Sequence, residues 1–309
     1  MIGHTSFRRD DDKVKEKTDL GWKYGINSDE LIIGAGSDQV IEFAIHAKAY
    51  NGSKVLMNSV TFAMYEIYAK QVGALIIRTA SREHKMEEFY ALYQEHKPSI
   101  IFLCTPNNPT GDALDAQEMI SFIEKVDSDT LVIVDGAYME YARFKDPSKA
   151  VKPKDLIQKF DNVLFLGTFS KAYGLGGMRV GYGIAQPQII KALYKVRPPF
   201  NITTLSLEAA SVALEDEAFV LECIADNFNE MKRYEEFANK KGIQIIDSYT
   251  NFVTLSLSQG QNSSQIAQAL LKKGMIIRDL SSYGLNAIRV TIGTQVQNSR
   301  FFELAEPLL

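Results

Sequence analysis

The sequence predicts an α/β fold, with a mostly parallel central sheet in a large domain and a smaller α+β domain at the carboxyl end. Two observations support this prediction. Short apolar runs alternate with segments whose apolar residues recur at helical spacing, as in the run QVIEFAIHAKAY that begins at Gln39. In addition, small and polar residues directly follow several apolar runs, at the strand ends where parallel sheets bind their ligands.

The predicted elements of the large domain follow one another along the chain. Strands are predicted at Leu31–Ile33, Lys54–Met57, Leu75–Arg78, Ser99–Cys104, Thr130–Asp135, Asn162–Gly167 and Arg179–Ile184. Helices are predicted at Gln39–Tyr50, Phe62–Gly73, Met86–His96, Ala116–Val126, Gln186–Lys195 and Leu205–Leu214.

Three parts are expected: a charged, solvated arm over residues 1–25, a large domain over residues 26–225 and a small domain over residues 226–309. The arm is expected to end in a helix near Leu20–Tyr24, and a long amphipathic helix at Glu217–Lys240 is predicted to bridge the two domains. The small domain is predicted to contain strands at Ile243–Ile246, Asn251–Leu257, Met275–Arg278 and Ala287–Ile292 and helices at Ser263–Lys273 and Val296–Ala305.

Composition argues against several classes of protein. The 309 residues are 46% hydrophobic and 23% charged, which is ordinary for a globular protein, and the net charge of −4 argues against nucleic acid as a partner. Because no apolar run approaches the roughly 18 residues that span a bilayer, and the start MIGHTSFRRDDDK lacks an apolar core, we expect a cytoplasmic protein with no membrane partner. The two cysteines and four histidines show no ligand spacing, so no metal site is predicted.

The stretch Gly167–Gly183, which reads GTFSKAYGLGGMRVGYG, has the groups needed to hold a phosphorylated aldehyde. The Lys171 amine can form a Schiff base with an aldehyde, and the Arg179 guanidinium can bind a phosphate through two hydrogen bonds. Ser170 adds a hydroxyl beside the lysine, and the glycines let the backbone approach a ligand. The alternative is that Ser170 and Lys171 form a solvated surface pair.

A second candidate lies at Gly36-Ser37-Asp38, before the first predicted helix. Free N–H groups at a helix start, with the positive end of the helix dipole behind them, bind phosphate readily. The alternative is an ordinary helix cap, made by the side chain of Ser37 or Asp38.

Further polar residues fall at strand ends or within an apolar strand. Asp135 ends the apolar run LVIVD, with Tyr138 three residues on, and a buried carboxylate needs a partner such as a protonated ring nitrogen. An Asp135 that caps the next turn is the alternative. Arg289 interrupts the apolar strand AIRVTIG and Arg278 precedes Asp279, so these arginines are anion-binding candidates, with structural salt bridges as the alternative.

Taken together, these motifs resemble those of the fold-type I pyridoxal-phosphate aminotransferases in order and rough spacing. The matching positions are Gly36-Ser37-Asp38, the turn NNPTG at 107–111, Asp135 with Tyr138, Ser170-Lys171 and Arg179. The stretch GTFSKAYGLGGMRVGYG and the late AIRVTIG are similar to the histidinol-phosphate aminotransferases in particular. The resemblance covers residues 25–306.

The resemblance implies that pyridoxal 5′-phosphate is the cofactor and assigns three catalytic residues. Lys171 would bind the cofactor aldehyde and then move the Cα proton of the substrate, while Asp135 would keep the pyridine nitrogen protonated. Tyr138 and Asn108 would bind the phenolic oxygen of the ring, and Phe62 would stack on the ring. The phosphate would be held by Gly36, Ser37, Asp38, Thr168, Ser170 and Arg179.

The implied reaction is a transamination in two half-reactions. Glutamate gives its amino group to the cofactor and leaves as 2-oxoglutarate, and imidazole acetol phosphate takes up the group to become histidinol phosphate, a step of histidine biosynthesis. Arg289 would bind the substrate carboxylate and Arg278 the substrate phosphate. The resemblance also implies a homodimer, because relatives build the active site from two subunits.

The beginning of the chain departs from the resemblance. Relatives carry an Asn-Glu-Asn-Pro-like motif and a tyrosine before a proline, whereas here no tyrosine precedes Tyr24 and Arg8-Arg9-Asp10 occupies that region. We therefore expect cofactor binding, with substrate positioning and water exclusion weakened. Two alternatives stay open: an aromatic or other fold-type I enzyme, including a phosphothreonine decarboxylase, and a cofactor-binding protein with impaired turnover.

Overall fold

A computed structural model of the chain describes residues 19–309. Most of the predicted charged arm, residues 1–18, lies outside the described residues. Residues 19–24 are helical, where a short helix was predicted, and the Leu20 side chain is fully buried. Within residues 19–309, no helix is both long enough and apolar enough to cross a membrane.

The large domain is built on a sheet of seven strands. They are β1 (Leu31–Gly34), β2 (Lys54–Met57), β3 (Leu75–Arg78), β4 (Ile100–Cys104), β5 (Leu131–Asp135), β6 (Val163–Thr168) and β7 (Gly181–Ala185). Their order is β1-β7-β6-β5-β4-β2-β3, and β7 runs antiparallel to both of its neighbours while the other pairs are parallel. The prediction of an α/β fold with a mostly parallel sheet is confirmed.

One predicted strand begins later than expected. The apolar pattern placed its start at Arg179, but β7 begins at Gly181 because Arg179 adopts a left-handed backbone with φ of 56°. A strand requires extended backbone, so Arg179 belongs to the preceding turn. The turn places the Arg179 guanidinium beside Gly36, which precedes the helix Ser37–Lys48.

Helices cover both faces of this sheet. They are α1 (Ser37–Lys48), α2 (Met64–Gln71), α3 (Met86–His96), α4 (Ala116–Ile123), α5 (Met139–Lys145), α6 (Pro153–Lys159), α7 (Pro187–Val196) and α8 (Thr204–Glu215). Successive residues of β5 belong to opposite cores: Val132 and Val134 pack in one hydrophobic cluster, and Leu131 and Ile133 in the other. The sequence did not predict α5 and α6, which span seven residues each and are too short to show a clear period.

The small domain is built on an antiparallel sheet. Its strands β8 (Gln244–Ile245), β9 (Phe252–Ser256), β10 (Arg278–Asp279) and β11 (Ala287–Thr291) are ordered β10-β11-β9-β8. The helices α10 (Ser263–Leu271) and α11 (Gln295–Ala305) pack with it. The predicted strand Met275–Arg278 is wrong in extent, because only Arg278 and Asp279 pair with β11.

The 25-residue helix α9 (Glu217–Lys241) contacts both hydrophobic cores. Val220 and Ile224 pack in a core of the large sheet, whereas Met231, Tyr234 and Ala238 pack under the small sheet. A long helix that bridges two packing units was predicted at this place. The division of the chain into residues 26–225 and 226–309 stays a prediction.

Candidate active site

The candidate site lies where neighbouring parallel strands end. Cys104 at the end of β4 pairs with Asp135 at the end of β5, and Asp135 pairs in turn with Leu166 of β6. The turn after β4, the start of α5 and the turn after β6 therefore meet at one edge of the sheet. This is the edge at which parallel sheets bind ligands.

A cavity of about 100 Å³ opens at this edge. It contains every predicted cofactor-binding residue except Gly36, together with Ala137, which was not predicted. Its lining is formed by Ser37, Asp38, Phe62, Asn108, Asp135, Ala137, Tyr138, Thr168, Ser170, Lys171 and Arg179. A groove of about 830 Å³ beside Trp22 and Lys154 is larger but contains none of these groups.

Gly36 lies outside the cavity lining and shapes one end of the site. It precedes α1 with a φ of 79°, and no side chain caps this helix, so the alternative of a cap made by Ser37 or Asp38 is wrong. A Cβ placed on Gly36 would lie 2.3 Å from Nη2 of Arg179. The glycine thus permits a guanidinium to pack against a helix start whose N–H groups have no side-chain partner.

Arg179 and Ser170 complete an anion-binding corner. The Arg179 guanidinium donates to Ser170 Oγ at 3.1 Å and to the Gly176 carbonyl at 3.1 Å. It remains exposed on its outer side. A helix start, a guanidinium and a hydroxyl are groups that bind phosphate, and the assignment of this corner to a phosphate stays a prediction.

Two other side chains in this corner have partners of their own. Thr168 Oγ1 donates to the Val180 carbonyl at 3.3 Å and accepts from Ser170 N at 3.1 Å, so this hydroxyl orders the turn. Asp38 accepts a hydrogen bond from the Tyr68 hydroxyl at 2.8 Å. The sequence did not predict the contact of Tyr68 with Asp38. In a sequence, an aromatic residue within a helix looks the same whether it packs in the core or donates a hydrogen bond.

Asp135 is buried at the base of the cavity and has two hydrogen-bond donors. Its Oδ2 accepts from the Tyr65 hydroxyl at 2.6 Å, and its Oδ1 accepts from Ala137 N at 3.1 Å. Burial raises the pKa of Asp135, and the hydrogen bond from Tyr65 opposes this shift. The hydrogen bond from Ala137 N is the turn-capping contact that was the alternative interpretation of Asp135. The Asp135 side chain makes this contact and also lines the cavity.

Lys171 is half-buried in the same cavity, so it is not the fully solvated surface residue of the alternative interpretation. Its Nζ lies 5.4 Å from the centre of the Tyr138 ring. Burial, followed by the charge of Arg289, lowers the pKa of Lys171. A lowered pKa increases the fraction of neutral amine, which is the nucleophilic form.

The remaining predicted groups close the side of the cavity that faces the small domain. The Arg289 guanidinium donates to Asn108 Oδ1 and lies over the Phe252 ring, with Cζ 4.8 Å from the ring centre. The Tyr138 ring meets Phe252 edge-on at 5.4 Å. Among residues 19–309, Arg289 forms no ion pair with a carboxylate, and its Nε is buried without a partner. Arg289 is therefore not explained by a structural salt bridge.

Arg278 is exposed and stands opposite Arg289 in the register of β10 and β11. The neighbouring Asp279 carboxylate accepts hydrogen bonds from Ser264 and Ser281 at 2.6 Å each. Residues directly opposite on antiparallel strands point to the same face of the sheet. The two guanidinium groups thus lie on one face, with Arg289 nearer the cavity.

A family model of class I and II aminotransferases matches residues 17–304, and the chain belongs to this family. It is 68% identical to the histidinol-phosphate aminotransferase of Sulfurimonas denitrificans, over 98% of this chain and 84% of that protein. It is 57% identical to the enzyme of the same name from Wolinella succinogenes, over 97% and 82% of the two chains. Within the family, its similarity is therefore to the histidinol-phosphate aminotransferases.

The solved structures agree with this fold. The crystal structure of histidinol-phosphate aminotransferase from Sinorhizobium meliloti in complex with pyridoxal-5′-phosphate superimposes with a TM-score of 0.87 at 24% identity, over 96% of this chain and 83% of that chain. Pyridoxal phosphate is the cofactor of the aminotransferase family.

The residues present fit this cofactor. The corner at Arg179 offers positive charge and N–H groups to a phosphate. Asp135 is a buried carboxylate whose two hydrogen bonds come from neutral donors, so a protonated ring nitrogen would supply its cationic partner. Lys171 offers the amine. Within residues 19–309, no group of three or more His, Cys, Asp or Glu residues is arranged to bind a metal.

Proposed function

We propose that the chain transfers an amino group from glutamate to imidazole acetol phosphate, yielding 2-oxoglutarate and L-histidinol phosphate, as a step of histidine biosynthesis. The observation that carries the proposal is one cavity in which the Lys171 amine lies between an anion-binding corner and the buried Asp135, with Arg289 at the side facing the small domain. The corner suits a cofactor phosphate, Lys171 and Asp135 suit the cofactor aldehyde and ring nitrogen, and Arg289 suits an anionic substrate.

The protein groups divide the chemistry between binding and proton transfer. When bound, pyridoxal phosphate supplies an electron sink for charge that develops at the Cα of the substrate. Asp135 holds the proton on the ring nitrogen, and Lys171 Nζ binds the cofactor and then takes up the Cα proton. The lowered pKa of Lys171 suits both tasks, because a neutral amine can attack a carbonyl and accept a proton.

The two arginines on the small sheet suit two different anions. Arg289 binds the α-carboxylate of glutamate, because its half-buried guanidinium donates to the neutral Asn108 and has no carboxylate partner within residues 19–309. Arg278, opposite Arg289 in register, meets the phosphate of histidinol phosphate from the exposed side. A second guanidinium favours a phosphorylated amine over an aromatic amino acid, whose ring carries no charge.

The proposal is tested by following the visible absorption of the protein loaded with pyridoxal phosphate. Glutamate is expected to remove the cofactor band and to release one equivalent of 2-oxoglutarate, and imidazole acetol phosphate is expected to restore the band. Lys171→Ala serves as the control that cannot attach the cofactor. A band that responds to an aromatic amino acid but not to histidinol phosphate would support the aromatic enzyme, and a band that responds to no amine would indicate lost turnover.

We also propose that the chain forms a homodimer. Leu205 and Val212, two turns apart on α8, are 70% and 61% exposed, and Phe200 just before this helix is 67% exposed. Apolar side chains exposed on one side of a helix in this way suit a protein interface. Sedimentation equilibrium should give twice the chain mass, and Leu205→Glu should shift the mass toward the monomer.

The cytoplasmic location expected from the sequence remains a prediction.

A further inference from the structure

We infer that Tyr65 is a positioning residue for the reaction: its hydroxyl fixes the Asp135 carboxylate in the orientation in which it can bond the ring nitrogen of the cofactor. The inference rests on the proposed role of Asp135. Tyr65 does not line the cavity, and its hydroxyl reaches the site through the hydrogen bond to Asp135.

The hydrogen bond between the two side chains is short and shielded from water. Tyr65 Oη donates to Asp135 Oδ2 at 2.6 Å, and the exposed fractions of the two residues are 0% and 4%. Ala137 N donates to the other oxygen at 3.1 Å. Because a carboxylate oxygen can accept two hydrogen bonds, each oxygen keeps one acceptor site for a further donor.

The direction of the Tyr65–Asp135 hydrogen bond is set by the surroundings. Burial, followed by the charge of Asp135, raises the pKa of Tyr65 well above its usual value, so the phenol stays protonated and donates. The other titratable groups that face Asp135 are Lys171, Asp38, Cys104 and Tyr138. Lys171 lowers the pKa of Asp135 and Asp38 raises it. In the described part of the chain, Tyr65 is the side chain that hydrogen-bonds to Asp135.

Aromatic packing holds the Tyr65 ring in place. The ring stacks on Phe102 of β4, with centroids 4.2 Å apart and planes 7° from parallel. It meets Phe62 edge-on, with centroids 5.6 Å apart and planes at 83°. Because β4 lies beside β5, which ends at Asp135, the packing leaves the hydroxyl aimed at the carboxylate. Tyr65 thereby links the residue proposed to stack on the cofactor ring with the residue proposed to bind its nitrogen.

The test replaces Tyr65 by phenylalanine and measures protonation of the cofactor itself. The protein is loaded with pyridoxal phosphate labelled with ¹⁵N in the ring, and the ¹⁵N chemical shift is followed by NMR as the pH is raised. In the wild-type protein the ring nitrogen is expected to stay protonated over the whole range in which the protein is folded. In Tyr65→Phe it should lose its proton within that range, and the cofactor dissociation constant should rise about tenfold, the scale of one hydrogen bond to a charged group.

Tyr234→Phe is the matched control, because it removes the same hydroxyl from an equally buried ring. Tyr234 is 1% exposed and donates to Asn298 Oδ1 at 2.9 Å in the small domain. Both variants should lower the thermal stability of the apoprotein, but only Tyr65→Phe should move the ¹⁵N signal. In an Asp135→Asn background, Tyr65→Phe should leave the ¹⁵N signal where Asp135→Asn alone puts it.

The outcomes separate this inference from the proposed function. A wild-type protein that does not bind pyridoxal phosphate contradicts the proposed function itself. A wild-type protein with a protonated ring nitrogen, together with an unchanged ¹⁵N titration in Tyr65→Phe, overturns the role of Tyr65 alone. Should Tyr65→Phe not fold, a crystal structure of the wild-type holoprotein decides: a Tyr65 hydroxyl that bonds an acceptor other than Asp135 overturns the inference, and a Tyr65–Asp135–ring nitrogen chain supports it.

Discussion

The Arg289 guanidinium on the small sheet donates a hydrogen bond to the Asn108 side-chain oxygen in the turn after β4 of the large sheet. A second bond joins the same turn to the small domain, from Thr254 Oγ1 to the Pro109 carbonyl at 2.6 Å. The proposed substrate-binding arginine and the proposed cofactor-binding asparagine are therefore held as one unit, although they belong to different sheets.

Arg289→Lys should weaken substrate binding more than it slows turnover. Lysine keeps the positive charge but loses the planar fork that reaches both Asn108 and a carboxylate. The KM for glutamate is expected to rise roughly tenfold to a hundredfold, as for one or two lost hydrogen bonds to a charged group. Steady-state kinetics measure this change, with Arg233→Lys, an arginine paired with Glu230, as the control. An unchanged KM would argue against Arg289 as the carboxylate ligand.

Arg278→Ala should separate the two substrates. Loss of this exposed guanidinium is expected to raise the KM for histidinol phosphate several-fold and to leave the KM for glutamate unchanged, because only the first substrate carries a phosphate. Half-reaction kinetics with each substrate alone measure the two effects. Arg300→Ala removes another exposed arginine, paired with Glu303, and should alter neither value. Equal effects on both substrates would contradict the proposed phosphate contact.

Gly36→Ala should weaken cofactor binding in addition to straining the backbone, because the new methyl group would displace the Arg179 guanidinium. The new methyl group would lie 2.3 Å from Arg179 Nη2, at a φ of 79°. Gly52→Ala is the matched control, because Gly52 has a similar φ of 85° with nothing within 4 Å of its Cβ. Each change should cost about 1–3 kcal/mol of stability through backbone strain, measured by thermal unfolding, but only Gly36→Ala should weaken pyridoxal phosphate binding in an absorbance titration. Equal cofactor affinity in the two variants would show that Arg179 can move aside.

The pH dependence of cofactor capture should reflect the lowered pKa of Lys171. The apoprotein reacts with pyridoxal phosphate through the neutral amine, so the rate should rise with pH and level off at a pH below the usual lysine pKa of 10.5. Stopped-flow absorbance measures this profile. Arg289→Gln removes a charge that disfavours the protonated amine and should move the midpoint to higher pH. A midpoint at or above 10.5 in the wild-type protein would contradict the lowered pKa.

The sequence predicted the site wherever a polar residue interrupts an apolar pattern. Asp135 after LVIV and Arg289 within AIRVTIG both stand out for this reason. Tyr65 and Ala137 do not, because a tyrosine on the buried side of a helix and an alanine in a turn match ordinary core and loop residues. Their contacts with Asp135 depend on how β4, β5 and α2 pack, which local periodicity does not encode. The start of β7 and the whole of α5 were missed for a similar reason, since a left-handed turn and a seven-residue helix leave little periodic signal.

The helix α9 ties the core of the large sheet to the core of the small sheet. Its 25 residues form a rod roughly 38 Å long. One end is fixed in the large core through Ile224 and the other in the small core through Met231. Between these anchors, the buried Asn227 donates to the Thr250 carbonyl at 3.1 Å. Asn227, a residue that does not line the cavity, therefore anchors the segment that leads into β9, the strand with which Arg289 pairs through Thr254.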